Sequence, residues 1–332
     1  MVIENKTIKI WGTAFSLIGD LIMSLPQLNY FKNQYPDSYI NFIIHKKISY
    51  CAPLFFNHPL IDRIKISDGW SDFGDNDYNI AKDCDIHTTS INHKTKSINN
   101  RKHEHGEFWY NERNCIDENA LMSGIKSLDD FTVAEERYPL LVKWFDEGFD
   151  APQKKGAYTF KKKNNNDNYR LKKSITIWPF AAYGRSQSRS PTLKWWQETV
   201  KTLIGKGFNI IHCGYINEPD LSEEFSKYQK VTDFEFLDQI KISLGSNFSI
   251  GTDSGSMWVL GAYSHPSIHL MTNWAENHKD NLLAFEPLNK NSYSLFNEKS
   301  CDEIKIDELA ELCDKFYKPE SFSIKNTISK FI

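Results

Sequence analysis

Two short motifs that pair glycine with aspartate stand about 230 residues apart in this chain. The first is Gly19-Asp20, and the second is the run Gly251-Thr252-Asp253-Ser254-Gly255-Ser256-Met257. Each is predicted to lie in a turn between a strand and a helix, where open α/β sheets bind ligands. Asp20 could act there as a general base, or it could only cap its helix. The small residues around Asp253 would let the backbone approach a phosphate or a sugar hydroxyl, or they could form an ordinary capped turn.

A polar loop, residues 179–190, is predicted between another strand and the start of a helix. Cations, hydroxyls and backbone amides gathered at a helix start bind monophosphates and diphosphates. The loop lacks the spacing of a Walker motif, and a solvated polar loop is the alternative. The candidate phosphate ligands are Arg185, Ser186, Ser188 and Arg189, with Lys194 one turn into the helix.

Two weaker signals accompany these motifs. Glu218 follows a predicted strand by a few residues, where an acidic residue often holds ribose hydroxyls, although a surface glutamate is the alternative. The segment 84–105 could dock an anionic acceptor, could be a solvated loop, or could offer His103 and His105 as metal ligands. Its candidate acceptor-binding residues are Lys94, Lys96, Arg101 and Lys102.

The elements that must position these residues alternate between strand and helix, which predicts parallel sheets. In the first half, strands are predicted at 7–11, 39–44 and 61–66, with helices from Asp20 and over 47–56. The polar stretch 67–127 is predicted to form loops with short strands, and 161–173 an exposed linker or hairpin tip. In the second half, Ser190 is predicted to cap a helix that has Pro191 at its first position. Further strands are predicted at 175–178, 208–214, 248–251 and 267–271, and further helices at 236–240 and 306–316.

Composition narrows the classes of protein that fit this chain. The 332 residues are enough for two domains, and 40% hydrophobic with 25% charged residues is typical of a soluble globular protein. A net charge of −3 argues against non-specific nucleic-acid binding. Six scattered cysteines without a CxxC pair favour free thiols over a zinc site. We expect a cytoplasmic protein without a transmembrane helix or signal peptide, and contact with the inner face of the membrane is left open.

Taken together, the motifs resemble the heptosyltransferases, the ADP-heptose:lipopolysaccharide enzymes of glycosyltransferase family 9. The block from Ile18 to Leu28 looks like the N-terminal signature of that family, and the segments 35–37 and 57–62 fit its usual pattern. In the second half the matching positions follow in the family's order. They are Pro179, Lys194-Trp195-Trp196, Gly214 with Glu218, and 253–257. The resemblance is poor between about residues 67 and 170.

The resemblance implies an α/β fold of the GT-B type, in which two Rossmann-like domains with parallel sheets face a central cleft. It implies an acceptor-binding domain at 1–165, a nucleotide-sugar domain at 166–305, and a helical segment at 306–332 that packs back on the first domain. Ser256 and Trp258 depart from the family, which usually has proline and histidine there. These departures leave the sugar and the nucleotide open.

The reaction implied is an inverting transfer without metal or cofactor, from a nucleotide-diphosphate sugar such as ADP-heptose to lipopolysaccharide or another surface glycan. Asp20, with Gly19 beside it, would deprotonate the acceptor hydroxyl, and Lys194 would neutralise the leaving diphosphate. Glu218 would hold the nucleoside, and Asp253 with the amides of 254–257 would hold the sugar and phosphates. The alternatives are a sugar-nucleotide epimerase or hydrolase, a silent sugar-nucleotide-binding protein, and a DNA-modifying glycosyltransferase that uses the basic segment.

Overall fold

The structure is a computed structural model of the whole chain, and only part of it is described. The described residues are 7–11, 18–23, 28, 32, 35–55, 58, 60–67, 86–89, 159–161, 168–170, 173–181, 189–263, 265–273 and 291–317. The chain divides into two compact units, which are residues 1–148 with 276–285 and residues 149–275 with 286–332. The boundary near residue 165 that the sequence suggested therefore lies inside the second unit.

The first unit contains a parallel sheet of four strands. They are β1 (Thr7–Trp11), β2 (Tyr39–His45), β3 (Arg63–Ser67) and β4 (Ile86–Thr89), in the order β3-β2-β1-β4. Strand β2 is a nearly continuous apolar run that is buried from Ile40 to His45, as expected for a strand covered on both faces. Helix α1 (Ile18–Met23) follows the central strand β1. The sheet therefore confirms the parallel arrangement predicted for this half.

The helix predicted over 47–56 is a 3₁₀ helix at Lys46–Phe55. It is kinked at Ile48, whose φ of −117° and ψ of 20° are not helical. It also contains Pro53, which cannot donate a backbone hydrogen bond. Its apolar side packs on the sheet, where the rings of Phe42 and Phe55 are 5.2 Å apart.

A short antiparallel hairpin opens the described part of the second unit. It consists of β5 (Thr159–Lys161) and β6 (Asn168–Arg170), with Phe160 opposite Tyr169. The lysine- and asparagine-rich stretch between the two strands lies outside the described residues. The pairing confirms the hairpin alternative predicted for this region.

The second unit is built on a parallel sheet of six strands. They are β7 (Ser174–Trp178), β8 (Asn209–His212), β9 (Tyr228–Lys230), β10 (Phe248–Thr252), β11 (Ser267–Thr272) and β12 (Ser292–Asn297). Their order is β12-β11-β10-β7-β8-β9, so the chain first builds outward from β7 and then returns to build on its other side. This is the order of a Rossmann sheet, with the reversal between β7 and β10.

The two faces of this sheet carry different side chains. One face presents Ile177 and Ile250 to a large apolar core formed with helices α2 (Leu193–Gly205) and α5 (Ile306–Tyr317). The other face presents Thr176, Trp178 and Ser249, because side chains alternate along a strand. It is covered by α3 (Phe236–Gly245) and α4 (Gly255–Ala262), and Trp178 Nε1 donates a hydrogen bond to Ser243 Oγ at 3.1 Å.

Helix α5 packs within the second unit, where Leu309 and Cys313 are buried in the core. That residues 306–332 also pack back on the first domain stays a prediction. Phe316 contacts Phe248 of β10 at 5.5 Å between ring centroids. The amphipathic pattern of α5 is satisfied there, because its apolar side meets α2 and the sheet. Residues 318–332 lie outside the described part of the chain.

Candidate functional site

The reversal point of the second sheet brings together two of the predicted motifs. In the register of β7 and β10, Trp178 lies beside Gly251, so the two chains leave the sheet side by side. The chain after Trp178 enters the polar loop and then α2, whereas the chain after Thr252 enters the Asp253 turn and then α4. Open α/β sheets bind ligands outside the carboxyl ends of such strands. The predicted phosphate loop and the predicted sugar-binding turn therefore start from one place in the fold.

The start of α2 differs from the prediction. The helix is capped by Thr192, whose Oγ1 accepts a hydrogen bond from Trp195 N at 3.3 Å, and its first residue is Leu193. Ser190, the predicted cap, instead accepts a hydrogen bond from Ala181 N at 2.9 Å. Pro191 lies before the cap rather than at the first helical position. The Ser190 hydroxyl therefore closes the polar loop on itself.

Two amides at the start of α2 already have partners. Asp302 Oδ1 accepts a hydrogen bond from Thr192 N at 2.7 Å, and the Thr192 hydroxyl takes the amide of Trp195. Lys194 is exposed in the first turn, and Arg189 is half-buried at the end of the loop. Arg185, Ser186 and Ser188 lie outside the described residues. An anion at this helix start would thus depend on Lys194, Arg189 and the loop more than on the two occupied amides.

In the turn after β10, the carboxylate of Asp253 is buried and accepts a hydrogen bond from the indole of Trp258. Asp253 follows the last residue of β10 and is only 6% exposed. Its Oδ1 accepts a hydrogen bond from Trp258 Nε1 at 3.1 Å, and Trp258 is itself 5% exposed. Trp258 is one of the two positions that depart from the family pattern. The structure shows what the tryptophan does there: it fixes the orientation of the aspartate that precedes α4.

After Asp253, Ser254 caps α4 with its backbone and Met257 packs in the interior. Ser254 is the N-cap of α4 through its backbone, and its carbonyl accepts from Trp258 N at 3.1 Å. Gly255 and Ser256 are partly exposed, but Met257 is fully buried. A Cβ built on Gly251 would lie 2.6 Å from Met257 Sδ, so the methionine packs where glycine leaves room. Met257 could therefore take part in the ligand contact implied by the resemblance through its backbone amide but not through its side chain.

Glu218 is placed differently from the prediction. Its side chain is fully buried, and Oε2 lies 2.8 Å from His212 Nε2 while Oε1 accepts a hydrogen bond from Tyr215 N at 2.9 Å. The other ring nitrogen of His212 lies 2.7 Å from the Tyr228 hydroxyl. Both carboxylate oxygens are therefore used inside the protein, and this geometry does not present Glu218 to ribose hydroxyls.

Gln239 of α3 completes this buried network, and the sequence did not single it out. Its Oε1 accepts from Gly214 N at 2.7 Å, and its Nε2 donates to the carbonyls of Gly214 and Phe234 at 3.2 and 2.9 Å. Gly214 has a φ of +150°, which glycine adopts without strain. Polar residues in a buried strand such as β8 were the available signal for this network, because a buried histidine needs partners.

In the first unit, Gly19 and Asp20 lie in the first turn of α1, directly after the central strand β1. This confirms that Asp20 stands near the start of a helix. The sheet order places the carboxyl end of β1, after which the chain continues to α1, at the reversal between β1 and β4. The predicted acceptor residues Lys94, Lys96, Arg101 and Lys102, together with His103 and His105, lie outside the described residues.

Two absences hold for the described residues alone. Within these ranges, no group of three or more histidine, cysteine, aspartate or glutamate side chains is arranged to hold a metal ion. Among the helices of the described part of the chain, none has the length and hydropathy needed to cross a membrane.

Comparison with known proteins gives matches in structure only. No protein-family model and no curated protein matches the chain. The fold is similar to that of ADP-heptose lipopolysaccharide heptosyltransferase II of Escherichia coli, with a TM-score of 0.63, 13% identity, and coverage of 95% of this chain and 100% of the other. A family 9 glycosyltransferase of Veillonella parvula gives a TM-score of 0.64 at 12% identity, covering 96% and 99%.

A third similar structure is the E. coli heptosyltransferase WaaC solved with ADP. Its TM-score is 0.63 at 12% identity, and the match covers 93% of this chain and 99% of the other. The chain therefore has a heptosyltransferase-like fold. This confirms the α/β GT-B class, with its Rossmann-like domains, that the sequence motifs predicted.

Proposed function

We propose that this protein is an inverting, metal-independent glycosyltransferase. It would move a sugar, heptose or a related one, from a nucleotide-diphosphate donor to lipopolysaccharide or another surface glycan. The observation that carries this proposal is the reversal point of the second sheet. There the cationic loop before α2 and the turn that holds Asp253 start from neighbouring strands. The similarity in fold to heptosyltransferases, one of them solved with ADP, supports a nucleotide donor.

The proposed chemistry begins at the acceptor. Asp20 takes the proton of an acceptor hydroxyl while that oxygen attacks the anomeric carbon of the donor sugar. The bond between this carbon and the diphosphate oxygen breaks, and the diphosphate leaves with the bonding electrons. A positioned base contributes about 10²–10⁴-fold to such a step. Arg185, Arg189 and Lys194 would stabilise the negative charge that develops on the leaving group, with Ser186 and Ser188 as hydrogen-bond donors.

Asp253 is assigned to the sugar rather than to the diphosphate. A buried carboxylate repels phosphate but accepts hydrogen bonds from sugar hydroxyls. Trp258 occupies one of its oxygens, Oδ1, and holds the group in one orientation. The amides of Gly255 to Met257, at the start of α4, have no acceptor four residues earlier within the helix, and they would contact the diphosphate. The Asp253 carboxylate would thus bind the sugar of the donor, and the amides at the start of α4 would bind its diphosphate.

The first experiment identifies the donor. Thermal shifts should be measured with the diphosphates of adenosine, guanosine, cytidine and uridine and with their sugars, because a bound donor stabilises the fold by mass action. The donor that binds is then incubated with and without lipopolysaccharide acceptors in the presence of EDTA. Transfer that requires the acceptor and resists EDTA supports the proposal. Breakdown or isomerisation of the donor alone would instead indicate a hydrolase or an epimerase.

The second experiment tests the base. The variant Asp20→Asn should lower turnover about 10²–10⁴-fold while donor affinity stays near the wild-type value. Unchanged turnover would show that Asp20 is not the base. Binding of a donor without transfer to any acceptor would indicate a silent binding protein, and salt-sensitive binding of DNA would favour a nucleic-acid acceptor. We further propose a cytoplasmic location at the inner face of the membrane, which cell fractionation would test.

A further inference from the structure

The loop after β8, residues 213–218, is held in one conformation from inside the protein. Glu218 bonds His212 and the amide of Tyr215, and Gln239 bonds both the amide and the carbonyl of Gly214. Lys230 of the neighbouring strand β9 donates a hydrogen bond to the carbonyl of Glu218. The backbone of the loop is thus fixed at both ends. The exposed side chains of this loop are therefore carried by a backbone that hydrogen bonds hold in one conformation.

The loop exposes Tyr215, Ile216 and Asn217, and the first two offer an aromatic ring and an aliphatic side chain. Tyr215 is 56% exposed and Ile216 is 65% exposed, whereas Glu218 in the same loop is 1% exposed. The exposed side chains stand at the carboxyl end of β8, next to β7 and one strand away from the reversal point. In a Rossmann sheet this is where the nucleoside lies once its phosphates occupy the reversal point. The expected acidic ligand is withdrawn, and an aromatic ring with an aliphatic neighbour is exposed in its place.

We propose that Tyr215 and Ile216 form the surface that contacts the base of the nucleotide donor, and that Glu218 positions this surface instead of binding ribose. The inference rests on the proposed function, because it requires a nucleotide at the reversal point. An aromatic ring stacks on any base, so the contact favours a nucleoside over a bare diphosphate without choosing among the bases. Tyr215 would then contribute affinity, and Glu218 would act only through the loop.

The same connection between β8 and β9 provides a matched control. Phe225 is 76% exposed, but it lies just before β9 and therefore at the amino end of the sheet. Its substitution removes a comparable exposed ring from the opposite edge. Tyr215→Ala, Tyr215→Phe and Phe225→Ala all change exposed side chains, so each variant should fold.

The test measures binding of ADP, GDP, CDP and UDP and of inorganic pyrophosphate by calorimetry. For the nucleoside diphosphate that binds the wild type, Tyr215→Ala should weaken affinity about 5–150-fold, the equivalent of about 1–3 kcal/mol of stacking. Tyr215→Phe and Phe225→Ala should stay within about 3-fold, and pyrophosphate affinity should not change in any variant, since pyrophosphate has no base to stack. Equal effects of Tyr215→Ala and Phe225→Ala would overturn the inference. If no nucleoside diphosphate binds the wild type, the proposed function falls first.

A second measurement separates the positioning role of Glu218 from ribose binding. The ratio of affinities for the nucleoside diphosphate and its 2′-deoxy form should be the same in the wild type and in Glu218→Gln. If Glu218 only supports the loop, Glu218→Gln should lower the affinities for both nucleotides by the same factor. A ratio that falls toward 1 in Glu218→Gln but keeps the wild-type value in Tyr215→Ala would show that the carboxylate binds the ribose.

Discussion

Replacement of Gly251 by alanine tests how tightly the reversal point is packed. Gly251 lies beside Trp178, and the first turn of α4 passes over it. A Cβ at this position would lie 2.6 Å from Met257 Sδ, 2.8 Å from Met257 Cγ and 3.0 Å from Trp178 Cβ. The first two atoms belong to a flexible side chain, but Met257 is 0% exposed and is packed inside the protein. The third atom, Trp178 Cβ, lies on the neighbouring strand β7 next to the backbone.

The magnitude follows from this crowding. Adding a methyl group to a well-packed core costs about 1–3 kcal/mol, and the lower entropy of the unfolded chain returns about 0.4–1 kcal/mol. Gly251→Ala should therefore lower the free energy of unfolding by about 1.3 kcal/mol, the difference between the middles of these two ranges. Because Met257 must move with the first turn of α4, the Asp253 carboxylate should shift as well. The affinity for a sugar nucleotide should then fall together with stability.

Urea denaturation followed by tryptophan fluorescence measures the effect, and Gly261→Ala is its control. Gly261 lies within α4, and a Cβ there would meet nothing within 4 Å. Alanine at this helical position should stabilise the protein by about 0.5–1 kcal/mol. The clash can also be relieved directly, since Gly251→Ala should cost less in a Met257→Ala background. A stable Gly251→Ala protein, or equal costs in the two backgrounds, would refute the assigned packing.

Three further substitutions probe the groups around the site. Trp258→Phe removes the donor to Asp253, so urea denaturation should show a loss of about 1–3 kcal/mol, and an unchanged midpoint would contradict the bond. Burial lowers the pKa of His269 to about 3 from 6.5, so the folded protein keeps this ring neutral while the unfolded chain protonates it. The free energy of unfolding should therefore decrease as the pH is lowered from 6.5 toward 3, by up to about 1.4 kcal/mol per pH unit. His269→Gln should reduce this dependence of unfolding free energy on pH. Equal pH dependence in the variant and the wild type would contradict a buried, neutral His269. Gly214→Ala meets a φ of +150° and a Cβ 2.6 Å from the Glu218 carboxyl carbon. Denaturation should show a cost of about 1–3 kcal/mol, and wild-type stability would refute the strain.

The fold could be predicted because buried parallel strands leave a strong signal. The run Ile175-Thr176-Ile177-Trp178 is apolar or uncharged throughout, as a strand covered on both faces must be. Strand β9 was missed because it has three residues and only Tyr228 is buried. It is an edge strand, so only one neighbour and little apolar burial define it. Its existence depends on pairing with β8, which no local pattern reveals.

The start of α2 shows where local reasoning fails. Ser190 and Thr192 can both cap a helix, and Pro191 between them favours the first choice. The structure selects Thr192, whose own amide is bonded by Asp302, 110 residues later in the sequence. Ser190 is taken by Ala181 at the other end of the loop. The cap is therefore decided by partners that lie close only after the sheet has formed.

The same non-local effect decides what the carboxylates in the loops around the reversal point can do. Asp302 bonds the amide of Thr192, Asp253 bonds the indole of Trp258, and Glu218 bonds His212 and the amide of Tyr215. Hydrogen bonds from these donors spread the negative charge and hold each oxygen in place. From sequence, Asp253 and the weaker candidate Glu218 were predicted to bind the donor, whereas Asp302 was not singled out. In the folded unit each accepts a hydrogen bond from a protein donor, so under the proposed function the charge that attracts a diphosphate would come from the cationic loop and Lys194.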